Sequence, residues 1–251
     1  MKISFASLAL RTILPATVLL ASCGKDDEPA PPAPDQGRIL VSHSAAAVNT
    51  AVTVFVNDQQ GGQLNYGQTG TYFNINTGTP TLSVKNGTQV VTSKTPAIAK
   101  DQNYSAFLYS TSGTIGSADM LVVPDDLAAP AANTAKVRLV HLGVGAASPV
   151  RLTVPAATPG GPTTDLTADV AFGTASSFAA LNAGPFNLSV TTGTAGSTTR
   201  TPVIAVGDGT GSSTGSKTFE AGKIYTIVVR GISGSGVPAA QQTQVVIIQN
   251  N

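Results

Sequence analysis

The sequence of 251 residues has one cysteine, no tryptophan and two histidines, and only 11% of its residues are charged. Because there is a single thiol, the chain cannot form an internal disulfide in any redox compartment. It carries 14 lysine and arginine residues against 13 acidic ones. This balance provides no basic surface for a phosphate backbone or for anionic headgroups. We therefore expect no nucleic-acid partner.

The N-terminal 22 residues have the pattern of a signal peptide. Lys2 and Arg11 form a positive region, and a short apolar run from Ile13 to Leu20 follows it. This run is well short of the roughly 20 apolar residues that a membrane-spanning helix needs. Small residues then precede Cys23, as at a cleavage site. We interpret residues 1–22 as a signal peptide that is removed.

Leu20-Ala21-Ser22-Cys23 resembles the lipobox of bacterial lipoproteins. The resemblance implies cleavage before Cys23 and acylation of its thiol and its new amino group, so that a membrane becomes a partner through the lipid. At about 0.8 kcal/mol per buried methylene, more than one acyl chain gives a durable attachment. The alternative is an ordinary secretory signal followed by a coincidental cysteine.

The charged run after the cysteine is Gly24-Lys25-Asp26-Asp27-Glu28. Its Lys25, Asp26 and Asp27 are similar to the export signal that some Bacteroidetes lipoproteins carry at this place. The resemblance implies an outer-membrane lipoprotein that faces outside. The alternative is a solvated spacer on a protein that faces the periplasm. Residues 23–36 contain four prolines and predict an extended tether.

The remaining chain predicts strands, and it repeats itself. Short runs such as Val52-Thr53-Val54-Phe55-Val56 alternate in polarity with the period of a β-strand. Segment 39–43 recurs at 137–141, and 13 of 37 positions are identical between segments 64–100 and 170–206. We define residues 37–126 as repeat 1, 127–134 as a linker and 135–251 as repeat 2.

Each repeat contains about seven short strand-like segments, separated by turns rich in glycine, asparagine, proline and threonine. Units of this size with strands at this spacing favour an antiparallel sandwich. The sequence therefore predicts an all-β chain of two tandem immunoglobulin-like antiparallel β-sandwich domains.

The opening segments Arg38-Ile39-Leu40-Val41-Ser42-His43 and Val137-Arg138-Leu139-Val140-His141, the following valine-rich strands and the tyrosine strands at Tyr104 and Tyr225 together resemble one bacterial family, the domain of unknown function 4397. The resemblance covers both repeats and implies a secreted or surface-attached β-sandwich without an assigned activity. The chain departs from the family where Ser-Pro-Asp-Ala-Pro usually follows the histidine.

The two histidines, His43 and His141, are the sharpest candidates for chemistry, since imidazole can act as a base or bind a metal. Neither has an acid or a thiol nearby in the sequence, and a buried structural histidine is the interpretation we favour. Tyr104 and Tyr225 each enter a late strand, similar to the tyrosine corner of sandwich folds. We interpret both tyrosines as structural.

Other candidate motifs are weak. The segment 211–215 fits the nucleophile-elbow pattern, but it lies in a low-complexity insertion. Asp208 alone cannot supply the six to eight oxygen ligands of calcium. We interpret Asp125-Asp126 and the pair Asp165 and Asp169 as solvated turn residues. The sequence thus predicts no catalytic residue, no metal site and no cofactor.

These observations favour a lipid-anchored envelope protein with a non-catalytic binding, adhesion or structural role, and a glycan or a protein as its ligand. The first alternative is a glycan-binding module of a surface nutrient-acquisition system. Such modules usually stack sugars on exposed aromatic rings, for which we expect only Tyr72, Phe73 or Tyr109 to be available. The second alternative is a hydrolase that uses His43 or His141.

Overall fold

The computed structural model describes residues 33–156, 158, 163–193 and 200–251. Within it, Pro34–Asn251 is one compact unit. The predicted signal peptide, the lipidation residue Cys23 and the charged residues Lys25, Asp26 and Asp27 lie outside the described residues. Among the described residues, no helix has the length and apolar character that crossing a membrane requires.

The predicted all-β class is confirmed. The described residues form 19 strands and two short 3-10 helices, Ala46–Val48 and Ala239–Gln241. Valine, isoleucine, threonine and aromatic residues favour the strands, and glycine and asparagine favour the turns between them. The strands are β1 Gln36–Ser44, β2 Val52–Val56, β3 Gln59–Leu64, β4 Phe73–Asn76, β5 Leu82–Asn86, β6 Gln89–Lys94, β7 Asn103–Tyr109, β8 Asp119–Asp125, β9 Thr134–His141, β10 Arg151–Val154, β11 Thr164–Asp165, β12 Thr174–Ala175, β13 Ala179–Asn182, β14 Gly184–Phe186, β15 Ser189–Thr192, β16 Thr201–Ala205, β17 Lys217–Phe219, β18 Ile224–Arg230 and β19 Gln244–Gln249.

Strands β1 to β8 form two sheets in repeat 1. We call the sheet that faces repeat 2 the inner sheet, and it has the order β4-β1-β7-β8. The other sheet, which we call the outer sheet, has the order β3-β2-β5-β6. The pairs are antiparallel, as predicted, except that β1 runs parallel to β7. The chain passes through the outer sheet between β1 and β7, and so long a crossover lets the two strands run in one direction.

The same topology occurs in repeat 2. Its inner sheet places β9 between the short strands β12 and β13 on one side and β18 and β19 on the other, and its outer sheet has the order β11-β10-β15-β16. Strand β9 runs parallel to β18, with Val137 beside Tyr225, as Ile39 lies beside Tyr104 in repeat 1. An additional pair, β14 with β17, occurs in repeat 2.

The two inner sheets pack against each other. Side chains alternate between the faces of a strand, so Leu108 on β7 lies in the core of repeat 1 and Phe107 faces repeat 2. Phe107 shares a fully buried cluster with Val140, Leu142 and Val228 of repeat 2. Both inner sheets are therefore covered on both faces, and the described strands form four layers.

Candidate functional site

A buried polar network joins the inner sheets beside this apolar cluster. Arg138 on β9 is 1% exposed, and its Nη2 lies 2.5 Å from Oδ1 of Asp125 on β8 as an ion pair. Its Nε donates to the Thr226 hydroxyl at 2.9 Å, and its Nη1 donates to the Pro124 carbonyl at 3.0 Å. The guanidinium of repeat 2 is thus held by groups from both repeats.

Asp125 is also bonded through its second oxygen. Oδ2 accepts from the Ser105 hydroxyl at 2.7 Å and from the Tyr72 hydroxyl at 2.5 Å. Asn250 of repeat 2 donates to the Tyr72 oxygen at 3.0 Å. Burial, followed by the negative charge of Asp125, raises the pKa of Tyr72. The interpretation of Asp125 as a solvated turn residue is therefore wrong, since Arg138 gives its carboxylate a buried partner.

Asp126, the next residue, behaves as the sequence suggested. Its side chain is 61% exposed and lies 2.6 Å from Nζ of Lys136. The hydrogen bond from Lys136 holds the pKa of Asp126 below its ordinary value. Adjacent aspartates thus occupy opposite environments, because successive side chains at the end of β8 point in opposite directions.

The network is asymmetric although the repeats are equivalent. The repeat offsets and strand registers place Thr226 at the position of Ser105, and Asn250 at that of Asp125. By the same offsets, Arg138 stands where repeat 1 has Leu40. The charged pair therefore has one member from each repeat, and each member replaces an uncharged residue in the other repeat.

A groove of about 890 Å³ opens beside this network, and we call it the junction groove. Its walls come from repeat 1, from the linker and from repeat 2. Arg38 is one of its lining residues, and its Nε donates to Oδ1 of Asn103 at 2.8 Å. The lining residues are Arg38, Asp101, Gln102, Asn103, Val123, Pro124, Asp125, Asp126, Leu127, Ala128, Arg138, Ala175, Ser176, Ser177 and Phe178.

The two candidate histidines are fully buried, each at 0% exposure. Nε2 of His43 donates to the Thr50 carbonyl at 3.1 Å, and its Nδ1 accepts from the Ala45 amide at 3.4 Å. Nε2 of His141 donates to the Ala147 carbonyl at 3.0 Å. Burial lowers the pKa of both imidazoles. Through its Nε2 donor, each ring holds the loop that follows its own strand.

Aromatic rings connect these histidines to the interface between the two repeats. His43 packs edge-on against Tyr66 at 5.8 Å between ring centres, and the Arg230 guanidinium of repeat 2 lies 5.1 Å from the centre of the Tyr66 ring. In repeat 2, His141 packs against Phe172 at 5.9 Å. Phe172 in turn contacts Tyr109 of repeat 1 at 5.8 Å. The histidines therefore support rings that cross between the repeats.

Tyr104 and Tyr225 make equivalent hydrogen bonds. The Tyr104 hydroxyl accepts from the Ala99 amide at 3.1 Å, and the Tyr225 hydroxyl accepts from the Glu220 amide at 3.2 Å. In each repeat the partner lies five residues upstream of the tyrosine. Both hydroxyls thus hold the turn that precedes their strand, which is the geometry of a tyrosine corner.

Asp165 and Asp169 form ion pairs with arginine side chains. Asp165 accepts from Arg151 at 2.8 Å and from Nε of Arg200 at 3.0 Å, and the Arg200 hydrogen bond is the main cause that lowers the pKa of Asp165. Asp169 pairs with Arg151. Among the described residues, no group of three or more histidine, cysteine or acidic residues is placed to hold a metal ion.

The segment 211–215 leads into strand β17, whereas a nucleophile elbow leads into a helix. No phenylalanine or tyrosine among the described residues is exposed, and Tyr72, Phe73 and Tyr109 are half-buried. The three rings that the sequence left available for sugar stacking are therefore only partly accessible. The large apolar side chains that are exposed in the described part are Val90, at 52%, and Ile115, at 93%.

The model of the family described as "Domain of unknown function (DUF4397)" matches residues 37–148, and the family predicted from the sequence is confirmed there. No curated protein matches the chain.

Among solved structures, the chain is similar to a candidate cell adhesion protein from Bacteroides eggerthii, at 12% identity and a TM-score of 0.24, over 87% of this chain and 96% of that one. It is also similar to the Bacillus anthracis TIE protein, at 10% identity and a TM-score of 0.23, over 78% of this chain. The chain spans 34% of that protein's length. At these TM-scores, neither likeness bears on function.

Proposed function

We propose that the chain, whose residues 37–148 match the DUF4397 family model, is a lipid-anchored, non-catalytic protein of the cell envelope. Its role is to bind a partner at the cell surface. The observation that carries this proposal is the junction groove, about 890 Å³ in volume and lined by polar side chains from both repeats.

The two imidazoles and the buried carboxylate of Asp125, which could in principle act in catalysis, stabilise the fold instead. Both imidazoles are buried and donate to backbone carbonyls, and a general base has to reach the proton that it abstracts. Asp125 is enclosed by Arg138, Ser105 and Tyr72. The hydrolase alternative would need His43 or His141 at a surface, and neither ring is exposed.

The proposed lipid anchor is inferred from the sequence alone. Cys23 would carry the lipid, and the tether ends at Gln36, where β1 begins. A fully extended proline-rich segment of this length would span roughly 40 Å, at about 3.1 Å per residue. This reach would keep the folded part clear of the headgroups, and Lys25, Asp26 and Asp27 support display on the outer face.

The groove suits a ligand that forms many hydrogen bonds. Arg38 and Asn103 are planar polar groups already oriented toward each other, and Ser177 and Asp126 add exposed oxygens. The ion pair of Arg138 fixes the wall beneath them, and a rigid wall lowers the entropic cost of binding. These features favour glycan binding as the second candidate function, in a surface nutrient-acquisition system.

Two measurements on the full chain test the proposal. Protease added to intact cells should remove the folded part if the protein faces outside, and protection would place it on the periplasmic face. A glycan array should show binding that the variant Arg38→Ala loses and that Lys94→Ala keeps, because Lys94 is 43% exposed and does not line the groove. Binding that both variants retain would exclude the groove, and an array without any binding would exclude the glycan candidate.

A further inference from the structure

Repeat 1 contains a second, apolar opening, of about 420 Å³, which we call the edge crevice. It lies between strand β3, at the edge of the outer sheet, and the segment that leads into β4 of the inner sheet. Its floor belongs to the core of repeat 1. The lining residues are Val41, Val54, Gly61, Gly62, Gln63, Leu64, Gly70, Thr71 and Phe73.

Repeat 2 places a leucine where repeat 1 has this opening. In repeat 1, Phe55 pairs with Gln60, and at the equivalent place in repeat 2, Thr153 pairs with Asp165. The next residue is Gly61 in repeat 1 and Leu166 in repeat 2. Leu166 packs against the core of repeat 2.

The backbone of repeat 2 also fixes this leucine, since the Leu166 amide donates to the Leu152 carbonyl at 2.8 Å. The floor of the opening differs as well, because Val41 and Val54 of repeat 1 stand where repeat 2 has Leu139 and Leu152. Repeat 1 thus has smaller side chains at these three positions, whereas Leu64 and Phe73 are larger than their equivalents in repeat 2, Val170 and Ala179. Empty apolar volume in a core lowers stability and favours an apolar occupant.

The strand beside the crevice is open to pairing. Strand β3 is the terminal strand of its sheet, and five of its six residues are exposed. Its sequence, Gln-Gln-Gly-Gly-Gln-Leu, contains no charge and no proline, two of the features with which edge strands commonly block an added strand. Its pairing with β2 does shift register between Thr53 and Phe55. An added strand would direct every second side chain toward the interior of the sandwich, next to Gly61 and Gly62.

We propose that repeat 1 binds an extended polypeptide segment, which pairs with the free edge of β3 and inserts one leucine-like side chain into the edge crevice. The crevice supplies the side-chain specificity, and the strand edge supplies the main-chain hydrogen bonds. Leu166 indicates the size and branching of the inserted group. The proposal goes beyond surface display and glycan binding, because it involves neither Cys23 nor the junction groove.

The test is a titration of the purified full chain with a capped, threonine-rich peptide that contains one leucine, followed by methyl and amide NMR. We expect saturable binding that shifts the methyl groups of Val41, Val54 and Leu64 and the amides of β3. The same peptide with aspartate in place of leucine should bind at least about tenfold more weakly, the effect of losing one buried leucine side chain.

Two variants locate the site. An added Cβ at Gly62 would meet no atom within 4 Å, so Gly62→Leu can fold and should reduce peptide affinity about tenfold by occupying the crevice. The matched control is Val90→Lys on β6, the other edge of the same sheet, which should leave affinity unchanged.

Three outcomes would overturn the proposal: no peptide binding, shifts confined to β6, or equal affinity for the leucine and aspartate peptides. Peptide-independent dimerisation that shifts β3 would also overturn it, since the occupant would then be a second copy of the chain. If Gly62→Leu does not fold, the shift map and the aspartate peptide still decide the matter.

Discussion

Arg138 of repeat 2 and Asp125 of repeat 1 lie 2.5 Å apart, with side chains that are 2% and 0% exposed. Burial of two charges is costly unless each has a partner, and the removal of one partner leaves the other uncompensated. Because each repeat supplies one charge, the pair is satisfied only when the inner sheets are packed together. The ion pair therefore favours one arrangement of the two repeats.

The variant Arg138→Leu should lower the free energy of unfolding by about 3–5 kcal/mol, because it leaves Asp125 buried without a counterion. Leucine is the residue that repeat 1 has at the equivalent position, Leu40. Adding Asp125→Asn, which copies Asn250, should recover most of the loss. Urea denaturation measures both variants. A double variant no more stable than Arg138→Leu would show that the charge of Asp125 is not the cause.

Stability should also fall on mild acidification. Burial lowers the pKa of His43 and His141 from the ordinary 6.5, so the folded chain binds their protons less readily than the unfolded chain does. Their contribution is complete above pH 6.5 and is lost as the pH falls from there toward the lowered pKa values. Urea midpoints between about pH 7 and pH 5 should show this decline.

The variant His141→Gln isolates one of the two contributions. It removes the titrating group of repeat 2 while keeping an amide that can donate to the Ala147 carbonyl. The variant should show a shallower dependence of the urea midpoint on pH than the parent chain. An unchanged slope would mean that His141 does not titrate differently in the folded and unfolded chains.

Alanine substitutions at two glycines with the same φ angle distinguish the cost of backbone strain from the cost of a steric clash. Gly78 and Gly231 both have φ of +100°, but an added Cβ at Gly231 would lie 2.3 Å from the Gln242 carbonyl oxygen, whereas at Gly78 it would meet nothing within 4 Å. Gly78→Ala should therefore cost about 1–2 kcal/mol for the left-handed conformation alone. Gly231→Ala should cost more, as measured by thermal unfolding, and equal losses would contradict the steric contact.

Removal of the Tyr225 hydroxyl oxygen measures how much the tyrosine-corner hydrogen bond contributes to the free energy of unfolding. Tyr225→Phe should cost about 1 kcal/mol, because the Glu220 amide loses its acceptor. Tyr109→Phe is the control, since no hydrogen bond of the Tyr109 hydroxyl occurs within the described residues, and it should change stability little. Denaturant midpoints of the two variants compare them directly, and similar losses would argue against a role for the Tyr225 hydroxyl bond.

The all-β class and the family were predictable because their information is local. Alternating valines predict a strand, and the equivalence of His43 and His141 in the sequence predicts a duplication. The junction was not predictable in this way, because Asp125 and Asp126 look alike in sequence and only the position of Arg138 separates them. One indication was present in Ala106-Phe107-Leu108, since consecutive apolar residues in a strand suggest that both faces are covered.

The parallel pairing of β1 with β7 and the edge crevice depend on contacts between distant segments. Neither Gly61 nor Leu166 is unusual in its own segment, and the difference between them matters only because the two positions are equivalent in space. Cys23, Lys25, Asp26 and Asp27 remain sequence predictions. Their interpretation depends on processing and export machinery that recognises the segment before the fold begins.

The most direct test of the proposed anchored role is metabolic labelling of the full chain with radioactive palmitate, beside the variant Cys23→Ala. The parent chain should incorporate label and stay in the membrane fraction, and the variant should incorporate none and be released from that fraction. Label that persists in Cys23→Ala, or a parent chain that carries no label, would contradict the lipid anchor.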